Sequence, residues 1–113
     1  MGRMDRVNEM IRREISNILQ KELEDPRLEL TSISRVETSR DLRQAKVFFT
    51  VLGGDKKIEQ TLEGLGSAGN FIRKKVASRV HLKFIPQFSF FYDKTLDYRI
   101  DIENQIERLH DEL

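Results

Sequence analysis

Apolar residues recur at spacings of three and four along residues 1–24. This spacing places them on one face of an α-helix, while polar residues occupy the other face. Pro26 disfavours helical geometry at the residue before it, so we expect the helix to end at or before Glu24. The apolar face consists of Met4, Val7, Ile11, Ile15, Ile18 and Leu19, with Met10 and Leu23 beside it.

Three later segments have the composition of β-strands. Residues 30–38 and 45–52 are rich in β-branched and aromatic side chains, which favour extended backbone. The polar residues 39–44 between them predict an antiparallel hairpin with a charged tip. Residues 85–92 show strand alternation, and Pro86 stands near the start of that segment, where a missing N–H donor is tolerated.

The segment between the second and third strands predicts two helices with a break between them. Asp55 is a candidate N-cap of the first helix. The glycines at positions 64, 66 and 69 then weaken the helical pattern. Residues 66–69 spell Gly-x-x-Gly, which either forms a phosphate-clamping loop or ends one helix, and both interpretations place a break here. The apolar faces are Ile58, Leu62 and Leu65 in the first helix and Phe71, Ile72, Val76, Ala77 and Val80 in the second.

The order of elements predicts an α+β fold. Residues 94–113 predict a short, acidic C-terminal helix that is partly frayed. A three-stranded sheet covered on one face by helices buries one side of every element, so residues 1–113 are expected to form a single domain. The order α-β-β-α-kink-α-β is also that of type II KH-like folds, which are small RNA-binding modules.

Composition narrows the class of protein. The 113 residues suffice for one core, and 38% are hydrophobic and 35% charged, as in a globular cytoplasmic protein. The absence of cysteine excludes disulfides and thiolate metal sites. The sequence shows neither a signal peptide nor a membrane span, so we expect no export and no membrane partner.

Charge is unevenly distributed although the net charge is only +1. Residues 64–92 contain five cations and no acid, whereas residues 93–113 contain seven acids and three bases. An uncompensated cluster on a helix predicts phosphate binding, although a solvated helix face is the alternative interpretation. The cluster is Arg73, Lys74, Lys75, Arg79 and Lys83. Further RNA-binding candidates, each with an acid close by, are Arg3, Arg6, Arg13, Arg40, Arg43 and Lys46.

Five short motifs, in this order, resemble ribosome-binding factor A over nearly the whole chain. The family's kink between helices, usually Ala-x-Gly, falls on Ala68, Gly69 and Asn70, so asparagine stands where glycine is usual. Asparagine tolerates a left-handed backbone, which keeps a kink compatible with the sequence. The motifs are Asp25-Pro26-Arg27, Ser39-Arg40-Asp41-Leu42, Ala45-Lys46-Val47, Phe71-Ile72-Arg73 and Phe90-Phe91-Tyr92-Asp93.

The resemblance implies a monomeric, non-catalytic assembly factor without a cofactor. Such a factor binds the free 30S subunit and 16S rRNA, assists late maturation and processing of the rRNA ends, meets other assembly factors and becomes important in the cold. Two other classes remain open. A protein-interaction domain would use the acidic terminal helix or a strand edge, and a nuclease or RNA-modifying enzyme would consume RNA.

Individual residues give little support for catalysis. His81 and His110 lack the spacing of a metal pair, and Asp25 and Asp41 are better explained as turn and capping groups. The phenylalanines of the strands are candidates for stacking on bases, but alternation sends half of them into the core. We therefore expect recognition of RNA shape through phosphate and ribose rather than base-by-base reading.

Overall fold

The structure is a computed structural model that describes residues 2–95. The predicted C-terminal helix lies outside the described residues from position 96 onward. Within them the order is helix, strand, strand, helix, strand, which confirms the α+β class. The elements are α1 (Arg3–Lys21), a 3-10 turn (Pro26–Leu28), β1 (Thr31–Thr38), β2 (Gln44–Val51), α2 (Asp55–Arg79) and β3 (Gln87–Tyr92).

The sheet has the strand order β1-β2-β3. β1 and β2 form the predicted antiparallel hairpin, with Thr31 opposite Val51 at one end and Thr38 opposite Ala45 at the other. β3 adds to β2 in parallel from its first residue, Gln87, beside Gln44. A parallel neighbour requires a crossover connection, and α2 provides it.

Both helices pack on the same face of the sheet. Alternate residues of β2 point toward them, among them Val47 and Phe49, which are fully buried. The predicted apolar face of α1 is confirmed, since Val7, Ile11, Ile15, Ile18 and Leu19 are all buried. The other face of the sheet, called the outer face below, carries the exposed residues of β2 and β3.

The predicted break in α2 is wrong. Residues 55–79 form one continuous helix through Ala68, Gly69 and Asn70, and no residue between Gly53 and the end of the described chain has a positive φ. Each glycine costs a helix about 1 kcal/mol relative to alanine. Full burial of Leu65, Ile72 and Val76 on a single face, each worth about 1.5–3 kcal/mol, outweighs that cost.

Gly64 has a packing role that differs from that of the other helical glycines. A Cβ at position 64 would lie 2.9 Å from Leu28 Cδ2 and 3.2 Å from Arg27 Cβ, whereas Gly66 and Gly69 face open space. The hydroxyl of Thr61, one turn earlier, lies 3.3 Å from the Arg27 carbonyl and 2.8 Å from the Lys57 carbonyl, so the two carbonyls share its one hydrogen-bond donor. The 3-10 turn therefore packs directly against the backbone of α2 at Gly64.

Asp25 and Asp41 act in turns, as predicted. The Asp25 carboxylate accepts a hydrogen bond from the Arg27 N–H at 2.9 Å and another from its guanidinium at 2.8 Å. Asp41 accepts from the Ser39 hydroxyl at 2.7 Å and from the Arg43 N–H at 3.1 Å. These bonds hold the pKa of both carboxyl groups below the ordinary value.

Asp93 closes β3 in a buried position, where it is 7% exposed. Its carboxylate accepts hydrogen bonds from the Ser34 hydroxyl at 2.7 Å and from the Thr95 N–H at 2.9 Å. The Ser34 bond, followed by that of Thr95, lowers the pKa of Asp93 from 3.8 to about 2. The carboxylate therefore ties the end of β3 to β1 in its charged form.

We expect stability to fall as acid protonates Asp93. Because its pKa is lower in the folded chain than in the unfolded chain, its contribution is complete above about pH 4 and is lost as pH falls toward about 2. Asp93→Asn should cost about 1–2 kcal/mol at neutral pH and flatten this acid limb. Urea unfolding at several pH values measures both effects. A variant with the wild-type acid limb would contradict the assignment, and Asp55→Asn, at an exposed helix start, is the control.

Candidate nucleic-acid interface

Three lysines of the predicted cluster present their charge to solvent. Lys74 and Lys83 are exposed, and Lys75 is half-buried. The ammonium of Lys75 lies 5.6 Å from the Phe71 ring centroid, and that of Lys83 lies 5.5 Å from the Phe84 ring centroid. No acidic group within residues 2–95 forms a salt bridge with these lysines. As far as residues 2–95 are concerned, their charges are available to an anionic partner.

Arg79 differs from the three lysines, because two acids neutralise its charge. One is Glu14 of α1, and the other is Glu22, which directly follows α1. Its Nη1 donates to Glu22 Oε2 at 2.7 Å, its Nη2 bonds to Glu22 Oε1, and Glu14 Oε2 lies 3.6 Å from Nη1. The Glu22 hydrogen bond raises the pKa of Arg79, and the same bond lowers the pKa of Glu22. The prediction that Arg79 belongs to an uncompensated cluster is wrong, since its acidic partners come from a distant part of the chain.

Replacing Arg79 by glutamine should return the pKa of Glu22 toward its ordinary value. The Arg79 hydrogen bond is the largest influence on that carboxyl, while Lys75 acts on it only through space. Titration of the glutamate carboxyl carbons by NMR measures the change.

RNA affinity should fall less for Arg79→Gln than for Lys74→Gln, because the Arg79 charge is already paired. An equal loss would contradict this ranking.

Arg73 stabilises the approach to β3. Its Nη2 donates to the Ile85 carbonyl at 2.9 Å and its Nε to the Pro86 carbonyl at 3.2 Å. The side chain is half-buried. Arg73 therefore fixes the segment after Lys83 against α2, and its charge contributes to the same region of the surface.

A second set of cations lies at the hairpin tip. Arg40 and Arg43 are exposed there, and the Asn8 side chain of α1 accepts a hydrogen bond from the Thr38 N–H at 3.0 Å. This contact brings the first turn of α1, with exposed Arg3 and Arg6, to the same end of the molecule. The tip also meets β3, because the Gln87 N–H donates to the Arg43 carbonyl at 2.9 Å.

The two remaining candidates lie apart from that tip. Arg13 donates to Glu9 at 3.1 Å, so its charge is shared with an acid on its own helix. Lys46 projects from β2 on the outer face, with its ammonium 6.0 Å from the Phe91 ring centroid. The structure thus divides the predicted site into the α2 lysines, the hairpin tip and the outer face.

The geometry of the exposed cations suits phosphate binding. Exposed lysines and arginines on fixed elements make favourable contacts with a polyphosphate backbone. His81 is exposed at the end of α2. Between Gly2 and Thr95 no three His, Asp or Glu side chains gather as metal ligands. In the same stretch no helix has the length and apolarity needed to cross a bilayer.

Comparison with known proteins agrees with the resemblance seen in the motifs. The family model for ribosome-binding factor A matches residues 3–106. The chain belongs to the ribosome-binding factor A family. Ribosome-binding factor A of Staphylococcus epidermidis is 41% identical over 108 residues, which cover 96% of this chain and 93% of that relative.

Solved structures of ribosome-binding factor A share the fold. The crystal structure of the factor from Thermus thermophilus has a TM-score of 0.72 and 25% identity, covering 81% of this chain and 97% of its own. A homology model of the T. thermophilus factor, fitted into the cryo-EM map of its complex with 30S, has a TM-score of 0.64 and 26% identity, covering 76% and 90%. The three-stranded sheet and its two helices are therefore the ribosome-binding factor A fold.

Arg35 is a cation that the sequence did not indicate as a site residue. Its guanidinium carbon lies 4.0 Å from the Phe48 ring centroid on the outer face, and its Nη1 forms a salt bridge with Glu37 at 2.9 Å. Its sequence neighbours, Val36 and Glu37, place it in an ordinary strand pattern. The signal that was missed is structural, because a register shift between Ile33 and Arg35 turns this side chain outward.

Proposed function

We propose that this chain binds the free 30S subunit through 16S rRNA and assists its late maturation. The T. thermophilus relative fitted into a 30S complex supports the partner, since it shares this fold. The exposed lysines of α2 and of the link that follows it, which no described acid neutralises, support RNA as the surface contacted. Processing of the 16S rRNA ends and greater importance in the cold belong to the same proposal.

The proposed mechanism is preferential binding without turnover. Lysines 74, 75 and 83, together with Arg40 and Arg43, would contact phosphates and so hold one arrangement of the rRNA. A factor that binds one conformation more tightly than another shifts the population toward it. No cofactor is required, and the chain would act as a cytoplasmic monomer alongside other assembly factors.

Co-sedimentation of the full-length chain with ribosomal particles tests the proposal. Free small subunits should retain the protein at low salt, and the affinity should fall with a log–log slope of about −0.7 to −0.9 for each phosphate contacted. Assembled ribosomes serve as the comparison. Failure of free subunits to retain the chain at low salt would refute the proposed partner.

A matched incubation distinguishes binding from catalysis. Precursor 16S rRNA mixed with the chain alone should remain intact, because the proposed role is to alter RNA structure for other enzymes. Analysis of the RNA ends on a sequencing gel measures this. Cleavage or modification that depends on added protein would favour the enzyme class over the assembly factor.

A further inference from the structure

The outer face of the sheet carries a row of two neighbouring aromatic rings with a cation at each end. The Arg35 guanidinium carbon lies 4.0 Å from the Phe48 ring centroid, and the Phe48 and Phe91 centroids are 5.7 Å apart at an interplanar angle of 32°. The Lys46 ammonium lies 6.0 Å from the Phe91 centroid. These four residues, called the aromatic row below, span all three strands.

Strand register and one bulge build the aromatic row. Phe48 stands beside Phe91 in the parallel β2–β3 pair and opposite Arg35 in the antiparallel β1–β2 pair. Regular alternation from buried Ile33 would turn residue 35 inward. The bulge between Ile33 and Arg35 leaves both Ser34 and Arg35 exposed, so it points a guanidinium at the Phe48 ring.

Two features separate the row from ordinary core packing. Phe91 is 42% exposed, although it is one of the large apolar side chains of the sheet. Ser89, two residues before Phe91 on β3, is exposed and small, so it does not cover the ring. The core of the sheet lies on the opposite side, with Phe49 and Val47 fully buried.

The chemistry of the row matches an unpaired nucleotide. Exposed aromatic rings stack on bases whatever their sequence, and flanking cations neutralise the phosphates that connect them. Arginine also stacks on a base through its planar guanidinium. A cation at each end of the row suits an apolar protein surface poorly, because charged residues are depleted in the centre of protein–protein interfaces.

We propose that the aromatic row binds single-stranded RNA by stacking a base on Phe91, with Lys46 contacting the adjoining phosphate. Arg35 lies against the Phe48 ring and forms a salt bridge with Glu37 at 2.9 Å, so its role is to hold that ring in place beside Phe91. The proposed α2 contact recognises phosphate and is indifferent to whether bases are paired. The row requires bases that are unstacked and accessible. The inference therefore goes beyond the proposed function by adding a second RNA surface and a preference for unpaired segments.

Fluorescence of 2-aminopurine in a short oligoribonucleotide tests the row. The chain should quench the probe when the oligomer is single-stranded, because stacking on a ring quenches this base. Once the oligomer is annealed to its complement, the chain should bind it more weakly and without a change in probe fluorescence, because only the α2 contact remains. Phe91→Ala should lower affinity about tenfold and remove the quenching. Phe91→Trp, which keeps a stacking surface, should retain both.

Phe84→Ala is the matched control, since Phe84 is also an exposed phenylalanine beside a lysine but lies outside the sheet. Circular dichroism verifies that each variant is folded. Equal binding by Phe91→Ala and the wild type, or binding without quenching, would overturn the proposal. Absence of quenching by the whole chain would also overturn it. This outcome leaves 30S retention unaffected, so it is distinguishable from failure of the proposed function.

Discussion

Replacing Lys74 and Lys83 together by glutamate is expected to weaken binding to free small ribosomal subunits by about 10- to 100-fold at moderate salt. Both side chains are exposed, and no acid within the described part of the chain forms a salt bridge with either of them. Each reversed charge removes a phosphate contact and adds repulsion. The salt slope should therefore become shallower by about two contacts, at about 0.7–0.9 each.

The matched control reverses Lys21 and Lys56, which are also exposed and lie at the end of α1 and the start of α2. This variant has the same net charge as the Lys74 and Lys83 variant. A general effect of net charge would weaken subunit binding equally in both variants, whereas a localised interface would leave binding by the control unchanged. Equal losses would show that long-range attraction, and no defined surface on α2, carries the affinity.

Gly64→Val should lower the free energy of unfolding by about 3 kcal/mol, because the new side chain enters the space that Leu28 and Arg27 occupy. A Cβ alone would approach Leu28 Cδ2 to 2.9 Å, and Leu28 is buried with 4% exposure. Overpacking of this kind costs about 1–3 kcal/mol, and a branched side chain lies at the upper end. Displacement of the 3-10 turn would also disturb the Thr61 hydrogen bond.

Gly66→Val separates packing from helix propensity. Nothing lies within 4 Å of a Cβ at position 66, so this change should be neutral or slightly stabilising. Gly66→Ala should stabilise by up to about 1 kcal/mol for the same reason. Chemical denaturation measures all three variants. If Gly64→Val and Gly66→Val had the same stability, the proposed packing of the 3-10 turn against Gly64 would be wrong.

The features that depended on local sequence were predicted well. The apolar face of α1 follows from spacings of three and four, and Asp25 bonds a residue only two positions away. The hairpin follows from two strands joined by a polar tip. In each case the prediction depends on residues that are close in sequence, so the local pattern is enough to make it.

The features that were missed depend on distant contacts. The glycines of α2 weaken the helix locally, yet burial of Leu65 and Ile72 keeps it continuous. Arg79 has no acid near it in sequence, but Glu22, 57 positions away, neutralises it across the helix pair. A count of charges along the sequence detects only acids that are neighbours in sequence. Only the folded structure shows that Arg79 is paired while the lysines of the cluster form no salt bridge with a described acid.

The parallel pairing of β2 with β3 has a consequence for synthesis of the chain. The inner side of the hairpin, with Phe49 and Val51, is complete long before α2 and β3 have left the ribosome. Contacts between residues that are far apart in sequence form late. Apolar surface that stays exposed until then promotes association with other nascent chains. The growing polypeptide thus presents a half-covered sheet, and chaperones that recognise apolar strands should engage it until α2 is released.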